Sequence, residues 1–173
     1  MDYILKSGVL CTQNGPAARI RPGLPGPERD ILSPDGAVAL RAVVRTQPEQ
    51  GRSSGDVRTR QYVLERPDGS AAACARPDYA PGQDPAAAGW PVSRLPRVDR
   101  ARVTMGGEYL LVMENSRSYL LRDGSGAPVL HFRHRGLTGG WDVTCSASLA
   151  PETVCGLFLF CRCIERENEF LVV

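Results

Sequence analysis

The sequence contains almost no lysine and no long apolar segment. Lys6 is the only lysine among 21 basic residues, and a high-GC coding bias explains the excess of arginine more simply than phosphate binding does. The longest apolar run, residues 154–161, has eight residues, whereas a membrane-spanning helix needs about 18–20. The first residues lack the basic start and apolar stretch of a secretory signal. We therefore expect a cytoplasmic protein without a transmembrane segment.

Motifs for catalysis and cofactor binding are also scarce. The sequence contains no G-x-x-x-x-G-K-[ST], no G-x-G-x-x-G and no H-E-x-x-H. Its two histidines, His131 and His134, are three residues apart in a strand-like segment, where they would point to opposite faces and form a poor metal pair. No Asp-Gly pair belongs to a calcium-binding loop. The sequence predicts no cofactor, no metal site and a protein that is not an enzyme.

The cysteine spacing argues against a zinc site. Six cysteines lie at positions 11, 74, 145, 155, 161 and 163, and none forms a C-x-x-C pair, which excludes a zinc ribbon or a thioredoxin-like motif. Cys161 and Cys163 would lie on nearly opposite sides of a helix. Free cysteine behaves as a small apolar side chain, so we expect these residues to pack in the core as free thiols.

The formal charge is close to balanced, at +2. It provides no global attraction to nucleic acid, and we expect no nucleic-acid partner. Residues 94–135 have an excess of arginine, whereas residues 152–169 have an excess of glutamate. The basic stretch has two interpretations: a solvated face of the fold or a binding surface.

Four turn signals predict four β-hairpins. Asp-Gly pairs at 35–36, 68–69 and 123–124 and Gly-Gly at 106–107 each separate two strand-like segments. Asp and Gly tolerate the positive φ that tight hairpin turns require. The segments alternate between apolar and polar residues, as half-buried strands do. We expect a meandering antiparallel sheet in a single domain, residues 1–173, with long loops near 14–29, 46–59 and 76–93.

A helix is predicted near residues 151–166. Pro151 and Glu152 are typical of a helix start, and the following residues 154–161 are apolar without a polar stripe. A helix that is apolar on every side must be buried on every side, and a closed barrel achieves this if the helix passes through it. The alternative is a central β-strand. Residues 170–173 are predicted to form a last strand.

These features together resemble the tubby C-terminal-like superfamily, and most closely its LURP-one-related and phospholipid-scramblase-like branch with its small bacterial members. The residues that carry the resemblance are Tyr3-Ile4-Leu5-Lys6-Ser7-Gly8, the Asp-Gly hairpins, Gly139-Gly140-Trp141-Asp142-Val143 and residues 155–165. The resemblance implies an antiparallel barrel of about twelve strands around one central helix. Lipid-binding residues of the superfamily have no counterpart here, because the chain has no lysine-rich cluster.

A non-catalytic binding module is the function that we favour. Arg100 and Arg102 would share an outward face of one strand, and His131, Arg133 and Arg135 would share a face of another. If these strands are neighbours, the resulting basic patch would attract anionic phospholipid headgroups or an acidic protein surface. The protein would then be peripheral at the membrane.

Two other functions stay open. One is a structural or protein-interaction domain that contacts its partner through edge strands or through the loops at 46–59 and 76–93. The other is an enzyme that uses the thiol of Cys145 or the carboxylate of Asp142 near the barrel mouth.

Overall fold

Twelve strands, each antiparallel to its neighbours, form a closed barrel in the computed structural model. The structure describes residues 1–22, 28–47, 52, 55–91, 94–146 and 148–169. The strands are β1 (Asp2–Lys6), β2 (Val9–Thr12), β3 (Gly15–Ile20), β4 (Arg29–Leu32), β5 (Val38–Thr46), β6 (Arg60–Glu65), β7 (Ala71–Tyr79), β8 (Val98–Thr104), β9 (Glu108–Asn115), β10 (Ser118–Asp123), β11 (Pro128–His134) and β12 (Trp141–Cys145). Neighbours in sequence are neighbours in the barrel, and β1 closes it by pairing with β12.

The four predicted hairpins are confirmed. They connect β4 to β5, β6 to β7, β8 to β9 and β10 to β11. Gly36 and Gly69 have φ values of 88° and 83°, which L-residues with a side chain rarely adopt. The carboxylate of Asp35 accepts the backbone N–H of Ala37, and that of Asp68 accepts the N–H of Ser70. Both residues of each Asp-Gly pair therefore stabilise the turn, the glycine by its positive φ and the aspartate by its hydrogen bond to the backbone.

Successive connections alternate between the two ends of the barrel, because each strand runs opposite to the one before it. The short turns after β2, β4, β6, β8 and β10 all lie at one end, which we call the turn end. The connections at the opposite end, the loop end, include the longest ones: residues 21–28, 47–59, 80–97 and 135–140. The loop end is where the fold leaves most sequence free for binding.

The strands extend into the segments that were predicted to be loops. β3 occupies residues 15–20 of the predicted loop near 14–29, and β7 continues through Tyr79 into the predicted loop near 76–93. The core-facing positions of these strands include small residues and proline, which give no clear apolar alternation in the sequence. Ala18 and Pro77, for example, are both buried. Between β5 and β6 the chain forms a 3-10 turn, Val57–Thr59. The predicted strand at 170–173 lies outside the described residues.

The helix α1 (Pro151–Glu169) runs through the barrel, which confirms the predicted central helix and extends it beyond residue 166. Its side chains contact strands on different sides of the barrel. Phe160 packs on Tyr62 of β6, with ring centroids 5.9 Å apart. Phe158 packs on Phe132 of β11 and on Trp141 of β12, at 5.5 and 5.2 Å. α1 follows β12 and therefore enters at the turn end and finishes at the loop end.

α1 approaches the wall closely at Gly156. A Cβ atom at this position would be 2.3 Å from Cδ1 of Leu64, whose side chain is fully buried. Because the interior is close-packed, neither residue has room to move away. Because Gly156 has no side chain, it allows the short distance between α1 and β6 at this point.

Gly156→Ala should destabilise the fold by about 1–2 kcal/mol, because overpacking costs about 1–3 kcal/mol and higher helix propensity returns at most about 1 kcal/mol. Urea unfolding would measure the change. The double variant Gly156→Ala with Leu64→Ala should be more stable than the sum of the two single variants predicts. Strictly additive effects would contradict the contact.

Candidate functional site

The two predicted basic residues of β8 face outward, but each has an acidic partner. Arg100 Nε lies 2.7 Å from the carboxylate of Asp99. Arg102 Nη2 lies 3.9 Å from Asp78, and the Arg102 side chain is largely exposed. Surface ion pairs of this kind add little stability. They nevertheless reduce the net charge that β8 offers to an anionic ligand.

The predicted basic residues of β11 lie in three different settings. His131 is half-buried, and its Nε2 lies 2.9 Å from Oγ of Ser118. Arg133 is exposed on the outer face. Arg135 does not belong to β11, which ends at His134; it lies in the following connection, and its Nε is 3.2 Å from Oδ1 of Asp142. The prediction that all three share one strand face is therefore wrong for Arg135.

The two groups of basic residues do not form one patch. β9 and β10 lie between β8 and β11, and three strand spacings correspond to about 14 Å around the wall. The ladder places Val112 and Leu120 between Arg100 and His131 on the outer face. A continuous basic patch required neighbouring strands, so the structure divides the predicted site into two.

A different group of cations gathers at the loop end, next to the β11 group. We call it the basic rim, and it consists of Lys6, Arg117, Arg133 and Arg135. Lys6 ends β1, and its Nζ donates to the backbone oxygen of Thr138 at 3.2 Å. Arg117 lies in the turn between β9 and β10, and its backbone oxygen accepts the N–H of His134 at 2.9 Å. Four separate positions in the sequence thus meet at one edge of the barrel.

Most of the rim charge is not neutralised. Of the four cations, only Arg135 has a carboxylate within 4 Å among the described residues. Sequence reasoning identified Arg133 and Arg135 but missed Lys6 and Arg117. The signal that could have found them is the alternation of connections between the two ends. It places the connections that follow β1, β9 and β11 at the same end of the barrel.

The last turns of α1 are fastened to the wall near the loop end by polar contacts. Glu167 is buried and accepts hydrogen bonds from Tyr62, at 2.9 Å, and from Arg60. The side-chain amide of Asn168 forms two hydrogen bonds with the backbone of Val98, as a neighbouring strand would. Its Oδ1 accepts the N–H of Val98 at 3.0 Å, and its Nδ2 donates to the Val98 oxygen at 2.8 Å. Tyr119 of β10 donates to Glu165. These partners lie on three strands and prevent the helix from turning about its axis.

Burial in this region changes the acidity of two tyrosines. Desolvation, followed by the nearby charge of Glu167, raises the pKa of Tyr62 well above its ordinary value of 10. Desolvation and the hydrogen bond to Glu165 raise the pKa of Tyr119. Both hydroxyls therefore stay protonated and act as hydrogen-bond donors, and neither acts as a base near neutral pH.

The outer wall carries one Ser-His contact, but its geometry differs from that of a catalytic triad. Ser118 Oγ lies 2.9 Å from Nε2 of His131 and also 2.7 Å from Oε2 of Glu114. In a triad the acid binds the other ring nitrogen and orients the imidazole. Here Glu114 competes with His131 for the single serine proton. The arrangement lies on the convex outer surface and stabilises the β9–β11 ladder.

A second apparent serine motif has the wrong context. Residues 51–55, Gly-Arg-Ser-Ser-Gly, match the G-x-S-x-G spacing of a nucleophile elbow, which requires a strand followed directly by a helix. This segment connects the antiparallel strands β5 and β6. Residues 51, 53 and 54 lie outside the described residues.

The cysteines are free thiols, and those of α1 are poor nucleophiles. Burial raises the pKa of Cys155 to about 12 and that of Cys163 to about 11, and it raises the pKa of Cys161 strongly. The thiolate is the reactive form. Cys145, the thiol of the enzyme alternative, is also buried, whereas Asp142 is exposed and paired with Arg135.

Comparisons with known proteins add no functional assignment. No family model, no curated protein and no solved structure matches the chain. The resemblance to the tubby-like superfamily therefore stays a prediction. Within the described residues, no three His, Cys, Asp or Glu side chains are grouped closely enough to hold a metal ion, and no helix is long and apolar enough to cross a membrane.

Brief alkylation of the folded protein at neutral pH should modify Cys11 and Cys74 first, since both are partly exposed on the outer wall. Cys155 and Cys161 should react at least about tenfold more slowly, because they are buried and protonated. Peptide mass spectrometry after a short pulse would give the order. Rapid modification of Cys145 would favour the enzyme alternative.

The free energy of unfolding should fall as the pH rises above 10. Below that value Tyr62 is protonated in both states, so its contribution is fully present. At higher pH the unfolded chain releases this proton while the folded chain retains it. Urea unfolding at several pH values would measure the loss, and Tyr62→Phe should show a shallower decline. Buried thiols add to the slope equally in both proteins, so identical slopes would contradict the role of Tyr62.

Proposed function

We propose that the protein is a non-catalytic binding module that associates with anionic phospholipid headgroups through the basic rim. The observation that carries the proposal is that Lys6, Arg117 and Arg133 gather at one edge without a carboxylate within 4 Å among the described residues. Anionic membrane surfaces attract such clusters. A position at the membrane periphery and membership of the tubby-like superfamily belong to the same proposal.

The expected association is weak and sensitive to salt. Each basic residue near an anionic surface contributes about 1 kcal/mol, so these three cations contribute about 3 kcal/mol together. A dissociation constant of 1 mM corresponds to about 4.1 kcal/mol. Electrostatic attraction by the rim alone is therefore too small for a stable complex at physiological salt, where screening acts over about 8 Å. Stable binding needs a further contribution.

The carboxylates of the nearby helix end do not oppose this attraction strongly. Glu165 and Glu167 are held by Tyr119 and by Tyr62 with Arg60, and Glu167 is buried. Their charge is directed into the barrel wall and is partly balanced there. The rim is one region of the loop end where exposed positive charge faces the solvent, and exposed Arg94 and Arg97 lie in a separate connection at the same end.

A protein-interaction domain is the second candidate, and one surface feature favours it. A groove of about 530 Å³ lies on the outer face of β6 to β9. Small residues of β7, among them Ala72 and Cys74, line it, together with Arg76, Arg102 and Glu108. An acidic segment of a partner could contact the two arginines, although Glu108 and the Asp78 partner of Arg102 offset part of their charge. The groove is separate from the basic rim, so the two candidate functions can be tested independently.

Vesicle sedimentation tests the lipid proposal. At low salt the protein should bind vesicles that contain about one third anionic lipid, and it should not bind neutral vesicles. Arg117→Gln with Arg133→Gln should weaken binding about 10- to 30-fold, because two rim charges are lost.

The matched control is Arg100→Gln with Arg102→Gln. It changes the net charge by the same amount, and the replaced residues already have acidic partners, Asp99 on β8 and Asp78 on β7. Binding by this variant should stay within about threefold of wild type. Equal losses in both double variants would show that net charge alone is responsible and would contradict a specific role of the rim. No binding by the wild-type protein would end the lipid proposal.

A further inference from the structure

One apolar side chain of the loop end stands fully in solvent. Leu137 is the most exposed large apolar residue of the described chain, with Leu95 next among the loop-end residues at 55%. Leu137 lies in a 3-10 turn, Gly136–Thr138, within the connection from β11 to β12. Single exposed leucines are common, so its meaning depends on how it is held and on what surrounds it.

The connection that carries Leu137 is held in place by hydrogen bonds on both sides of the leucine. Arg135 N–H donates to the oxygen of Gly140 at 3.0 Å, and Gly139 N–H donates to that of Gly136 at 3.2 Å. The backbone of Gly140 allows no side chain, because a Cβ atom there would lie 2.8 Å from the oxygen of Leu5. The loop is thus built to project its tip away from the wall.

The basic rim lies beside this tip. Arg135 lies two residues before Leu137, and Lys6 donates to Thr138, the next residue, at 3.2 Å. Arg117 lies in the adjacent turn, joined to His134 by a backbone hydrogen bond of 2.9 Å. A projecting apolar side chain beside exposed cations has the charge pattern that complements an anionic bilayer interface, where phosphates lie above an apolar layer.

We propose that Leu137 inserts into the acyl boundary of an anionic bilayer while the basic rim binds the headgroups around it. This inference rests on the lipid-binding function proposed above and adds the contact that the rim alone lacks. A convex, isolated side chain requires a matching pocket in a protein partner, whereas a fluid bilayer accommodates it at any point. Insertion adds an attraction that salt does not screen.

The test compares Leu137→Ser with Leu95→Ser on vesicles that contain phosphatidylglycerol. Leu95 is also exposed at the loop end and is flanked by Arg94 and Arg97, but it lies outside the rim, so the comparison tests whether the rim in particular is required. Leu137→Ser should weaken partitioning about tenfold, which corresponds to about 1.4 kcal/mol, and Leu95→Ser should leave it within about twofold. Leu137→Trp should restore binding and show a blue-shifted emission on vesicles. Equal urea unfolding curves would verify that all variants are folded.

Several outcomes would overturn the inference. If the wild type binds the vesicles and Leu137→Ser binds equally well, the insertion fails while the headgroup proposal stands. If Leu137→Ser equally weakens binding of soluble glycerophosphoglycerol, the leucine acts on headgroup recognition and does not insert. If the wild type binds no anionic vesicles, both proposals fail. Retention of wild-type binding at high salt together with its loss in Leu137→Ser supports insertion.

Discussion

The fold depends on the burial of α1 inside the barrel. About eight strands make a barrel that its own side chains can fill, and twelve strands enclose more space than that. α1 supplies the missing core: Phe158 and Phe160 reach strands on different sides of the wall. Removal of this apolar surface from water is the dominant favourable term, and it explains why the segment at 154–161 has no polar stripe.

The two ends of this filled barrel differ in the length of their connections and in their contacts with α1. The turn end carries short connections that the Asp and Gly residues make tight, so little of the chain is free there. The loop end carries the long connections and the polar contacts that hold the last turns of α1, through Glu167 and Asn168. In the described part of the chain every strand also pairs with a neighbour on each side, so the sheet has no edge strand for another chain to join. Binding surfaces are therefore restricted to the outer face and to the loop end.

The sequence was informative wherever a local pattern determined the structure. Asp-Gly and Gly-Gly pairs predicted four hairpins because turn geometry is decided by two or three residues. The helix was predictable because burial on all sides leaves an unbroken apolar run. β3 was missed because its strand faces consist of Gly, Pro and Ala, whose side chains give no clear alternation.

The candidate site was less predictable because it depends on distance around the barrel. Arg100 and His131 looked like members of one patch, but two strands separate them. The alternation of connections puts Lys6 and Arg117 at the same end of the barrel, and the pairing of β1 with β12 then places them on the same part of its edge. Local patterns contain no information about such a closure.

The position of α1 after all twelve strands has a consequence for how the protein matures. A ribosome releases the wall before the element that fills it, so the emerging sheet has an apolar inner face with nothing to cover it. Its first and last strands meet only at the end, since Met1 bonds to Cys145 across 144 residues of chain. Contacts this distant in sequence make folding slow and expose intermediates to aggregation. During synthesis this inner face is therefore exposed until α1 has been made.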